Sequence, residues 1–121
     1  LVVDDAPRVR RMIIEVLRGL GMQPVEANGP VEGLAVARAA TVPFDLLLTD
    51  VVMPQMSGKD LADALERDGL GLPVLYMSGY TENTVIHHGV VDPGTHFLSK
   101  PFTPDQLVRA IQLAVGSNQG G

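Results

Sequence analysis

Short apolar runs alternate along the chain with longer stretches whose apolar residues recur three and four apart, the pattern of buried strands between amphipathic helices. Leu1-Val2-Val3 reads as a strand, and the sequence is expected to begin inside it. Asp4-Asp5-Ala6-Pro7 ends that strand and opens a helix, Pro7 suiting the first turn, with Val9, Met12, Ile13, Val16, Leu17 and Leu20 on one buried face and glycines at 19 and 21 to close it. Met22 to Ala27 reads as a second strand, and Pro24, which cannot donate to a central ladder, puts it at a sheet edge. Asn28-Gly29-Pro30 caps a second helix carrying Val31, Leu34, Ala35 and Ala39. Leu46-Leu47-Leu48-Thr49-Asp50 is a strand buried on both faces that delivers a carboxylate at its carboxyl end. Pro54 stops it, and Ser57-Gly58 with Asp60 starts a third helix with Leu61, Ala62 and Leu65 inward. Pro73 to Met77 is a fourth strand ending at Ser78-Gly79. Between Thr81 and His96 the pattern is broken by Gly89, Pro93 and Gly94, which predicts a short or irregular fourth helix. Phe97 to Ser99 is the fifth strand. Thr103-Pro104-Asp105-Gln106 is a capping box, and Leu107, Ile111, Ala114 and Val115 face inward on the last helix.

Five strands alternating with helices predict an α/β fold, a flavodoxin-like doubly wound parallel sheet of five strands in the order 2-1-3-4-5. With 121 residues there is room for one domain, expected over residues 1–115 with 116–121 as a flexible tail. Hydrophobic residues at 45% and charged residues at 19% are globular values, and no apolar run is long enough to span a bilayer or act as a signal segment, so the domain is expected to be soluble and cytoplasmic. The absence of cysteine excludes disulfides, thiolate metal sites and thiol redox chemistry. A net charge of −5, with only Arg8, Arg10 and Arg11 clustered among the basic residues, argues against direct nucleic-acid binding.

All strands of a parallel sheet point their carboxyl ends to one side, so Asp4, Asp5, Asp50, Ser78 and Lys100 are expected to converge on one crevice. Lys100, one of only two lysines, closes an apolar segment where a charge needs a reason. Carboxylates packed together repel, and a hard divalent cation with oxygen ligands, Mg²⁺ above all, relieves the repulsion. Asp5 and Asp50 are the expected direct ligands, the Val52 backbone carbonyl a third, with Asp4 acting through water. A carboxylate beside Mg²⁺ and a lysine is a nucleophile for phosphoryl transfer, and its product is an acyl phosphate on Asp.

Four separated motifs now carry a resemblance: Val-Val-Asp-Asp at 2 to 5, Thr-Asp-Val-Val-Met-Pro-Gln-Met-Ser-Gly at 49 to 58, Tyr-Met-Ser-Gly at 76 to 79 and Ser-Lys-Pro-Phe-Thr at 99 to 103. Over its whole folded length the chain resembles the receiver domain of two-component response regulators. The resemblance implies Asp50 as phosphoacceptor, Asp4 and Asp5 as the acidic pair for Mg²⁺, Ser78 as the switch hydroxyl and Lys100 as the phosphoryl-contacting lysine, before a cis Pro101 peptide. It implies a phosphohistidine donor on a sensor histidine kinase or a histidine phosphotransfer domain. Residues 80–94 are more specifically similar to receivers at the end of hybrid sensor histidine kinases, so the domain is a candidate part of such a chain. Phe97 stands at the family's switch-aromatic position, without the hydroxyl of the frequent Tyr; a plain core Phe is an equally weighted reading. The resemblance also implies that Val52 and Tyr80 stand at positions that in this family flank the path of the hydrolytic water.

Pro101 and Phe102 are expected to form an apolar docking patch for the phosphohistidine helix. Arg8 and Arg11, with Arg10, lie on the first helix where an acidic partner is within reach, although an ordinary solvated face is the stronger reading. An irregular fourth helix argues against phosphorylation-driven dimerisation, and a monomer is expected. Two further functions are weighed. A pseudo-receiver that only binds proteins is disfavoured by the complete set of acidic residues and Lys100. An aspartyl-phosphate hydrolase is disfavoured because Asp4-Asp5-Ala6 lacks the second Asp two residues beyond the first-strand nucleophile.

Overall fold

In a computed structural model describing residues 1–4, 6–41, 44–53, 55–78 and 96–119, with side chains described to residue 115, the apolar runs form five strands. They are β1 (Val2–Val3), β2 (Glu26–Ala27), β3 (Leu47–Asp50), β4 (Val74–Ser78) and β5 (His96–Ser99). Helices α1 (Pro7–Gly19), α2 (Pro30–Ala39), α3 (Gly58–Arg67) and α4 (Pro104–Gln119) complete the described elements. The fourth helical segment expected between residues 81 and 96 lies outside the described residues. The sheet is wholly parallel with the order β2-β1-β3-β4-β5, as the sequence pattern predicts.

Successive side chains of a strand leave opposite faces, and here each face finds its own helices. Val2, Leu48, Leu75 and Met77 pack with Ile13, Ile14 and Leu17 of α1 and with Leu107, Ile111 and Ala114 of α4. Val3 and Leu47 pack on the other side with Leu34 and Ala37 of α2 and Leu61, Ala64 and Leu65 of α3. The two clusters are the core layers on the two faces of the sheet.

Four details depart from the sequence pattern. Strand β2 pairs only at Glu26 and Ala27, because Pro24 has no N–H to continue the ladder towards Met22. In α2 the buried positions are Pro30, Gly33, Leu34 and Ala37, whereas Val31, Ala35 and Ala39 face out. The helix is apolar nearly all round, so periodicity could not choose its inner face. Close approach at Gly33 chose it: a Cβ there would stand 3.0 Å from Val3 Cγ2. Leu20, past the last turn of α1, is 43% exposed rather than core. Helix α4 runs to Gln119, past the last inward residue of the apolar pattern, since each residue added to a formed helix closes another backbone bond.

Candidate functional site

The carboxyl ends of β1, β3, β4 and β5 form one rim, and the ladders bring polar side chains there under cover. Asp4 is 0% exposed, Asp50 6% and Ser78 3%. The Asp4 N–H donates to the Ala27 carbonyl at 3.3 Å, one step beyond the β1–β2 ladder. Asp50 ends β3 opposite Met77, and the Val51 N–H donates to the Met77 carbonyl at 2.9 Å. The Lys100 N–H donates to the Ser78 carbonyl at 2.7 Å, which holds the backbone of β5 at the rim.

From that anchor the Lys100 ammonium reaches both carboxylates, 2.5 Å from Asp50 Oδ1 and 3.1 Å from Asp4 Oδ2. The other oxygen of Asp4, Oδ1, accepts from the Ala6 N–H at 2.8 Å and turns the chain into α1. Burial first, and then the hydrogen bond and charge of Asp4, push the Asp50 carboxyl up from 3.8 to about 7, while Lys100 pulls it back. Burial alone would lower the Lys100 ammonium; its hydrogen bonds and charge contacts with Asp50 and Asp4 outweigh that, and its pKa is raised. One ammonium therefore does not neutralise the pair. Buried hard oxygen donors short of positive charge are what a divalent cation with oxygen ligands takes.

Asp5, an expected direct ligand, lies outside the described residues, as does Tyr80. Among the described residues no group of three acidic, histidine or cysteine side chains gathers, so the visible part of the donor set is Asp4 with Asp50. Val52, two residues beyond Asp50, is 56% exposed. Phe97 is half-buried against Val51 and Tyr76. The Lys100–Pro101 peptide is cis, Pro101 is exposed, and Phe102 packs partly against the cluster shared by α1 and α4. Arg8 and Arg11 are exposed.

Three residues matter to the rim in ways the sequence pattern does not reveal. A Cβ at Gly58 would run into the backbone carbonyl of Asp50 and come within 3.0 Å of Thr49 Cγ2. Glycine therefore lets α3 begin against the end of β3, where the Gly58 N–H donates to the Val51 carbonyl at 2.8 Å. The motif position of Gly58 was visible, but the contact that requires glycine was not. Gln55, in the loop between β3 and α3, holds a left-handed backbone with φ 82°. Arg10 turns away from its exposed neighbours, and its Nη1 donates to the Asp4 carbonyl at 2.7 Å.

A doubly wound parallel sheet with a carboxylate pair and a lysine on its carboxyl rim defines a class of small α/β domains that carry their chemistry at strand ends. Within that class the chain belongs to the response regulator receiver domain family, which it matches over residues 1–112. It is 29% identical over 119 residues to the DNA-binding response regulator MtrA of Mycolicibacterium smegmatis, covering 98% of this chain and 51% of that protein. It is 32% identical over 117 residues to hybrid signal transduction histidine kinase D of Dictyostelium discoideum, covering 92% of this chain and 7% of that protein. The chain thus spans about half or less of the length of these relatives. Among solved structures it is similar to the chemotaxis protein CheY4 of Vibrio cholerae, with a TM-score of 0.81 and 30% identity over 93% of this chain and 94% of that one. It is a CheY-like receiver domain of two-component systems, and its relatives include hybrid kinases as well as response regulators. None of the described helices is long and apolar enough to cross a membrane.

Proposed function

We propose that Asp50 is the phosphoacceptor of this receiver domain, taking the phosphoryl group from a phosphohistidine on a sensor histidine kinase or a histidine phosphotransfer domain. The observation that carries the reading is the Lys100 ammonium held between Asp50 and Asp4 on the rim. An oxygen of ionised Asp50 attacks the phosphorus, the P–N bond breaks with its electron pair going to the imidazole, and an acyl phosphate forms. Lys100, freed from Asp50 as that carboxylate gives up its charge, pairs with the incoming phosphoryl oxygens. Ser78, buried at the end of β4, serves as the switch hydroxyl that donates to the phosphoryl group, and Phe97 repacks in response.

Asp5, Asp50 and the Val52 carbonyl, with Asp4 through water, would hold Mg²⁺, which would supply the positive charge that transfer between anions requires. Pro101 and Phe102 form the apolar part of the partner's docking surface, and exposed Arg8 and Arg11 supply a basic flank. The domain catalyses its own phosphorylation and dephosphorylation and works as a cytoplasmic monomer without direct contact with nucleic acid or membrane. Val52 and Tyr80 slow the loss of the phosphoryl group by shielding it from water.

The test is intact-protein mass after incubation with Mg²⁺ and acetyl phosphate. One phosphoryl adduct is expected, absent in Asp50→Asn and absent with a chelator. A folded chain that binds Mg²⁺ but takes no phosphoryl group from acetyl phosphate or from a phosphohistidine protein would overturn the reading in favour of a phosphorylation-independent protein-binding module.

A further inference from the structure

Arg10 sits one turn into α1, and its side chain is 12% exposed although Arg8 and Arg11 beside it are exposed. Its guanidinium makes two hydrogen bonds, from Nη1 to the Asp4 backbone carbonyl at 2.7 Å and from Nε to Glu26 Oε1 at 3.2 Å. Glu26 lies in β2 opposite Val2, so one side chain joins the helix, the end of β1 and the edge strand. The turn it grips is otherwise tied through Asp4 itself, whose N–H donates to the Ala27 carbonyl and whose Oδ1 accepts from the Ala6 N–H. Strand β1 is two residues long, and Ala6, at the N-cap of α1, has no side chain able to cap.

We propose that Arg10 is a positioning residue for the cation site: it fixes the backbone of Asp4, and so the place where the Asp4 carboxylate meets Lys100. The inference rests on the reading of the rim as a Mg²⁺-dependent phosphoacceptor site. With Oδ1 on Ala6, Oδ2 on Lys100 and the carbonyl on Arg10, Asp4 is held at three oxygens from three directions. A planar fork is suited to this because its donors diverge at fixed angles to two acceptors, which a single ammonium cannot copy. Glu26 orients the fork and offsets part of its charge, so the guanidinium supports an acidic site with less repulsion of its cation.

Charge and position predict opposite signs when Arg10 is removed. Deleting a positive charge makes the rim more negative and by itself tightens Mg²⁺ binding; releasing the Asp4 backbone loosens it. A residue of purely structural value would move the melting temperature and leave the affinity of the folded protein unchanged. Arg10→Met, which keeps most of the aliphatic stem, is expected to raise the Mg²⁺ dissociation constant about tenfold, the usual scale for removing a group that supports a metal ligand. Calorimetric titration with Mg²⁺ alone reads this directly. With acetyl phosphate, the Mg²⁺ concentration for half-maximal phosphorylation should rise by the same factor, while the rate at saturating Mg²⁺ stays within about twofold.

Unchanged or tighter Mg²⁺ binding by folded Arg10→Met overturns the inference while leaving the phosphoacceptor reading intact. If unsubstituted protein forms no Mg²⁺-dependent adduct, the underlying reading falls instead. Should Arg10→Met not fold, Arg10→Lys carries the test: it keeps the charge but not the divergent fork, and a Mg²⁺ affinity weaker by about tenfold is expected from the loosened Asp4 backbone. No change there overturns the role.

Discussion

The two halves of β3 are buried alike and do opposite work. Leu47 and Leu48 point to the two faces of the sheet, are 0% and 1% exposed, and join the two core clusters. Asp50, two residues on and 6% exposed, joins no apolar cluster; it faces a second carboxylate and one ammonium. Burial stabilises the first half because it removes apolar surface from water. It destabilises the second because it strips water from a charge, and a single Lys100 offsets this incompletely. The strand thus spends stability at its end to keep a carboxylate poised.

Substitutions along the strand and its loop sharpen this contrast. The largest effect is expected from Leu48→Ala in the lower half, a loss of about 2–5 kcal/mol from a core site with no room to relax. Chemical denaturation should show that loss in the midpoint. In the upper half the sign reverses. Because the Asp50 carboxyl is raised from 3.8 to about 7 in the folded protein, the fold binds its proton more tightly than the unfolded chain does. Its contribution is fully present below 3.8 and is lost as pH rises through about 7. Thermal melts with a chelator present should therefore weaken over that range. Asp50→Asn should flatten this trend and stabilise the protein by about 1–2 kcal/mol near pH 8, where the buried charge is otherwise present. A destabilised Asp50→Asn at that pH would break the contrast. The smallest effect belongs to Gln55. Relieving its left-handed backbone with Gln55→Gly gains roughly 1 kcal/mol, and the extra freedom of glycine in the unfolded chain returns about half of it, leaving a net gain of about 0.5 kcal/mol in the same denaturation assay.

The ease with which each part could be read from sequence follows the same division. The strands and the rim residues were legible because a buried parallel strand is written as an apolar run, and a polar residue closing such a run stands out: Asp50 after Leu46-Leu47-Leu48, Ser78 after Val74-Leu75-Tyr76-Met77, Lys100 after Phe97-Leu98. Helix α1 was legible because its two faces differ strongly in polarity. Helix α2 was not, since Val31, Ala35 and Ala39 are as apolar as the residues that turned inward, and only the close approach of the Val3 side chain to Gly33 decided between them. The role of Arg10 left no trace in the pattern for a related reason. Its acceptor at the rim is a main-chain carbonyl, which every residue possesses, so neither spacing nor residue type marks it. Gln55 is equally silent, because the residue itself does not favour the conformation it holds.

The bond between Lys100 and Asp4 joins residues separated by 96 positions in a chain of 121. The two residues meet only across the paired β1, β3, β4 and β5, so the bond is placed by nearly the whole sheet. A nascent or truncated chain ending before Lys100 can hold Asp50 but lacks the ammonium that balances it. The charge balance of the rim is thereby a checksum on the completed fold: only a chain that has brought its last strand into place carries the lysine that its buried carboxylates face.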